Sequence, residues 1–70
     1  MPNYETTLWW SDEDALWVAE VPELPGCMAH GVSQEEALSN ARSAIELWLN
    51  VARRAGDPIP EPKRRRVANA

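Results

Sequence analysis

The chain has 70 residues, a net charge of −4 and one cysteine. A single domain of this size buries only about 60% of the surface its unfolded state exposes, so its core alone leaves it marginal. One cysteine excludes an internal disulfide, the absence of CxxC and HxxxH spacings argues against a metal site, and no apolar run nears the roughly 20 residues that span a bilayer.

Tyr4 to Trp10 reads as a first strand, with Tyr4, Thr6 and Leu8 on one face and Glu5, Thr7 and Trp9 on the other. Trp9 and Trp10 therefore point to opposite faces. One is available to the core, and the other to solvent, the helix end or a partner, where an exposed tryptophan is a binding hot spot. Ser11-Asp12-Glu13-Asp14 is a polar turn. Ala15 to Val21 is a second strand, with Trp17, Ala19 and Val21 opposed to Leu16, Val18 and Glu20, and the short connection makes a hairpin. Pro22 and Pro25 break this strand, because proline has no N–H for a ladder. Gly26 supplies the positive φ that turns the chain back, so Pro22 to Gly26 reads as a rigid corner, with a recognition loop as the alternative. Cys27 to Gly31 is a short third strand.

The helix signal is the strongest. Ser33 is an N-cap, and Glu36 three residues later completes a capping box. Ala37, Leu38, Ala41, Ala44, Ile45, Trp48, Leu49 and Ala52 recur at helical spacing. Arg53 and Arg54 suit the negative end of the helix dipole, and Gly56 suits the C′ position. About 22 residues make a helix roughly 33 Å long. Leu47 and Val51 lie beside the main stripe and mark that flank for a second subunit. Pro58, Pro60 and Pro62 make the next segment extended and stiff. Lys63 to Ala68 is then expected as a short edge strand. The expected fold class is α+β in the order β-β-β-α-β: an antiparallel three-stranded sheet, one long helix on one face and a C-terminal edge strand, all in one domain over residues 1–70.

Charge is unevenly distributed. Residues 1–41 hold eight acids and no lysine or arginine, whereas residues 42–70 hold all seven bases against three acids, so the two parts carry −8 and +4. An acidic surface repels phosphates and attracts basic partners. A solvated charged surface is the plainer alternative. The Lys63-Arg64-Arg65-Arg66 run would split between two strand faces and has no interleaved aromatic for base stacking. It reads as a charged edge that discourages aggregation or meets an acidic neighbouring subunit, with Arg64 and Arg66 as candidate contacts. Two-metal cleavage needs several converging carboxylates, and nothing draws Glu5, Asp12, Asp14, Glu20, Glu23 and Asp57 together. Cys27 and His30 stand three apart in a strand and face opposite ways, so they do not form a nucleophile–base pair. No catalytic residue, cofactor or metal is expected. An unpaired cysteine without a signal peptide points to the cytoplasm.

The stretch Trp17-Val18-Ala19-Glu20-Val21-Pro22-Glu23-Leu24-Pro25-Gly26-Cys27 resembles the central motif of the HicB-like antitoxin family. So do Ser33-Gln34-Glu35-Glu36-Ala37-Leu38, Ala44-Ile45-Glu46-Leu47-Trp48-Leu49 and Pro58-Ile59-Pro60-Glu61-Pro62, in the family's order and spacing. The resemblance runs from Tyr4 to about Ala68. It implies a partial RNase H-like fold and an antitoxin that covers the active site of a small basic RNA-cleaving toxin of HicA type. It also implies self-association, as a dimer or tetramer. Full-length members usually add a DNA-binding module of ribbon-helix-helix or helix-turn-helix type. The eight residues after Pro62 leave no room for one, so direct DNA binding is not expected. The protein-partner candidates are Trp9, Trp10, Leu47, Val51, Arg64 and Arg66. The competing readings are a solitary homo-oligomeric interaction module without a toxin and, behind it, a residual metal-dependent ribonuclease.

Overall fold

Residues 3–63 are described by the structure, a computed structural model. The elements follow in the order β1 (Thr7–Ser11), β2 (Leu16–Glu20), β3 (Met28–Gly31) and α1 (Gln34–Ala55). Both neighbouring pairs are antiparallel, and β2 is the central strand. The α+β architecture expected from the sequence, three antiparallel strands and one long helix, is the one observed. The edge strand expected over residues 63–68 lies outside the described residues beyond Lys63.

Residues directly opposite one another on paired strands share a face. The rows Leu8–Ala19–Ala29 and Trp10–Trp17–Gly31 lie on the side that carries α1. The rows Thr7–Glu20–Met28 and Trp9–Val18–His30 lie on the other side, which no described element covers. The strands are shorter than the sequence pattern indicates. The β1–β2 ladder ends at Thr7 and Glu20 because Pro22, just beyond, has no amide to continue it. Residues 4–6 are instead held by side chains. Glu23 Oε1 accepts from the Glu5 amide at 3.0 Å, and Glu23 Oε2 accepts from the Lys63 amide at 2.6 Å. The Tyr4 hydroxyl donates to the Pro60 carbonyl. One carboxylate in the Pro22–Gly26 corner thus joins the entering and leaving ends of the chain. The corner itself closes on backbone bonds from Leu24 N to Val21 O, Cys27 N to Leu24 O and Val21 N to Cys27 O. Gly26 takes the positive φ, +79°.

The helix begins and ends where its capping residues stand. The Glu36 amide donates to Ser33 Oγ at 3.1 Å, and Glu36 Oε2 accepts in return from the Val32 amide at 2.8 Å. Gly56 ends the helix in the left-handed region, and the amides of Gly56 and Asp57 bond back to Arg53 O and Ala52 O. The core has two parts. Near the helix start, Ala37 and Ala41 meet Ala19, with Leu8, Trp17 and Ala29 around them. Toward the helix end, Ile45 and Leu49 meet Val21, Leu24 and Cys27, with Tyr4, Ala44 and Trp48 around them. Small residues at one end and larger ones at the other set α1 as a wedge on the sheet. At its tight end a methyl on Gly31 would stand 2.5 Å from the Ala37 nitrogen.

Candidate functional site

The β1–β2 turn is built around Ser11, whose Oγ accepts from the Asp14 amide at 3.3 Å and donates to Asp14 Oδ2 at 3.4 Å. Ala15 closes the turn at φ 53°, in the left-handed region, so β2 starts one residue later than the sequence pattern suggests. A four-residue loop from Asp12 to Ala15 sets Trp10 opposite Trp17. The two indoles pack edge to face, with centroids 5.6 Å apart and planes at 70°, an arrangement favoured by the aromatic quadrupole. Trp10 Nε1 donates to Asp12 Oδ1 at 3.0 Å. The Trp10 ring is thereby held in place while 46% of its surface stays exposed.

The row Trp10–Trp17 ends on Gly31, and Gly31 touches Glu36 and Ala37 at the start of α1. The turn acids Asp12, Glu13 and Asp14 and the helix-start acids Glu35 and Glu36 therefore belong to the same end of the molecule, and all five are exposed. The first 41 residues hold no lysine or arginine. The result is an acidic pole around a fixed aromatic ledge.

The remaining candidates lie elsewhere. Trp9 is 43% exposed on the uncovered sheet face, beside Val18 and His30, so neither tryptophan of the pair is withdrawn into the core. Leu47 and Val51 are exposed on the far half of α1, at the level of Cys27 rather than Gly31. Arg64 and Arg66 lie outside the described residues. The sequence pattern singled out Trp10 as a candidate contact, but not its ring partner Trp17 or the neighbouring turn acids. The signal available was the turn length, which fixes the register.

The chemistry at hand suits binding. Among the described residues no group of three or more His, Cys, Asp or Glu converges to hold a metal ion. Cys27 is buried on the helix side, and burial pushes its thiol pKa up, whereas His30 is exposed on the opposite sheet face. Among the described residues no helix is long and apolar enough to cross a membrane.

The family model described as "HicB_like antitoxin of bacterial toxin-antitoxin system" matches residues 4–69. The chain belongs to the HicB-like antitoxin family. A UPF0150 protein of Thermoplasma acidophilum is 39% identical over 49 residues, covering 70% of this chain and 71% of the relative. One from Archaeoglobus fulgidus is 41% identical over 46 residues, 66% and 67% of the two chains. One from Helicobacter pylori is 54% identical over 38 residues, 54% and 51% of the two. No solved structure matches the chain, so the RNase H likeness rests on sequence resemblance alone. Membership in the HicB-like family points to a non-enzymatic role.

Proposed function

We propose that this HicB-like protein is the antitoxin of a type II toxin–antitoxin pair and masks a small basic RNA-cleaving toxin of HicA type in the cytoplasm. The observation that carries this reading is the acidic pole: five exposed carboxylates around the ordered Trp10 ring. A protein that binds RNA presents cations to phosphates. The same cations are drawn to this pole, so docking there would exclude RNA sterically and by charge. Trp10 supplies the apolar anchor that charge alone lacks, as aromatic hot spots do at other interfaces. The protein acts in this reading as a homo-oligomer and makes no direct DNA contact.

The test is co-expression with a HicA-type toxin encoded beside this gene. The expected result is a stable complex in which RNA cleavage is lost, and in which Trp10→Ala weakens binding at least about tenfold. Absence of such a neighbouring gene, or free cleavage by the toxin in the presence of excess antitoxin, overturns the reading.

A further inference from the structure

A solvated acidic surface has no need of an ordered indole, yet the acidic pole is built around one. The Trp10 ring is 46% exposed and is fixed at two points. One is the edge-to-face contact with Trp17, at 5.6 Å and 70°. The other is the bond from Nε1 to Asp12 Oδ1, at 3.0 Å. A ring held in this way has little rotamer freedom to lose when something packs on it. The carboxylate also polarises the indole: an N–H donated to an anion pushes electron density into the ring and deepens the negative potential of its face. Such a face attracts a cation. Asp12 Oδ1 is taken by the indole, which leaves Oδ2 as an acceptor at the rim of the ring. The first 41 residues hold no lysine or arginine, so neither the β1–β2 hairpin nor the helix start brings a cation of its own to this ring.

We infer that the Trp10 ring and the Asp12 carboxylate form a recognition site for an arginine side chain of a basic partner protein. The proposal rests on the reading of this pole as a docking site and names the group it grips. Ring and carboxylate together select among cations. A guanidinium is planar and weakly hydrated, so it lies flat on an indole and still points its N–H donors sideways. One of those donors meets Asp12 Oδ2 at the rim in a charge-assisted bond. A lysine ammonium is a compact, strongly hydrated charge and gains less from a flat ring. The arginine methylenes add apolar contact over the exposed indole. Glu13, Asp14, Glu35 and Glu36 supply long-range attraction, which is indifferent to the kind of cation. Preference for arginine over lysine is therefore the property that separates this site from an acidic surface alone.

The experiment is an NMR titration of the isotope-labelled full chain with end-blocked tetra-arginine and tetra-lysine peptides, equal in charge, at low salt. The indole N–H resonances are followed, and that of Trp10 is assigned by its loss in Trp10→Leu. Leucine keeps an apolar side chain at this exposed position and removes the ring and its N–H, and circular dichroism checks the fold. The Trp10 resonance is expected to move with tetra-arginine, at a dissociation constant about threefold or more below that for tetra-lysine. Trp10→Leu is expected to bring the two peptides to equal affinity, and Asp12→Asn to narrow the difference. Trp9→Leu, on the other sheet face, should leave the preference intact. Equal affinities in the wild type, or a preference that survives Trp10→Leu, overturn the proposal. No toxin enters these measurements, so the arginine preference can fail while toxin masking holds, and can hold where no toxin exists.

Discussion

Tyr4 and Cys27 make the stability of this small protein fall at alkaline pH. Burial pushes the Cys27 thiol above its ordinary 9.0. Burial also raises the Tyr4 phenol above 10.0, with the nearby Glu23 and Glu61 carboxylates adding to the rise and Arg53 opposing it. Both groups are neutral when protonated. The stability they contribute is present below their unfolded pKa values and is lost as pH rises through the higher folded values. The Tyr4 proton also makes the bond to the Pro60 carbonyl that holds the leaving segment. The urea midpoint is therefore expected to stay level across neutral pH and to fall above about pH 9. Tyr4→Phe should cost about 0.5–1.5 kcal/mol at neutral pH and make the alkaline fall shallower. An alkaline slope identical in Tyr4→Phe and wild type would remove Tyr4 from this account. Ala15 is a different residue-scale feature. It occupies a left-handed turn position without being glycine, and local strain of this kind tends to gather at functional sites; here it sits in the acidic pole.

At the scale of elements, the placement of α1 depends on its tight end. The Ala19–Ala37–Ala41 layer brings the helix down on the sheet, and Gly31 lets it pass. Gly31→Ala would meet backbone atoms of Glu36 and Ala37 that cannot rotate away. It is expected to destabilise by about 1–3 kcal/mol, a fall in Tm of several degrees for a chain this size, read by tryptophan fluorescence. An unchanged Tm would show that the helix start shifts freely and that the wedge is not fixed there. The helix limits were legible in the sequence because Ser33, Glu36 and Gly56 are local signals whose chemistry acts within one turn. The strands were legible in number and face but not in extent. Their ends depend on tertiary partners that no local pattern contains: the Glu23 carboxylate takes the Glu5 and Lys63 amides, and Pro22 interrupts the ladder. A groove beside Leu47 and Val51, with Trp48 and Pro58 in its walls, was not legible, since it arises from the wedge between two elements far apart in sequence.

At the scale of the whole molecule, the uneven charge of the sequence becomes an axis. The turn acids and Glu35 and Glu36 lie at one end, while Arg53 and Arg54 stand at the far end of α1. The sequence showed that residues 1–41 are acidic, but not that acids from a turn and from a helix start belong to the same end of the molecule. Such a pole acts at long range, so it governs how quickly a basic partner arrives more than how slowly it leaves. Glu13 and Glu35 test this well because both are exposed and neither accepts a hydrogen bond that shapes the turn or the cap. In stopped-flow mixing with the HicA-type toxin proposed as partner, followed by tryptophan fluorescence, the double variant Glu13→Lys/Glu35→Lys should slow association about tenfold or more at low salt. The difference should shrink as salt rises, because screening shortens to about 8 Å at physiological ionic strength. Dissociation should change little, in contrast to Trp10→Ala, which removes the anchor and should act mainly on dissociation. Equal association rates for wild type and the double variant at low salt would show that the acidic pole does not steer the toxin, and the docking surface would then have to be sought on the uncovered sheet face around Trp9.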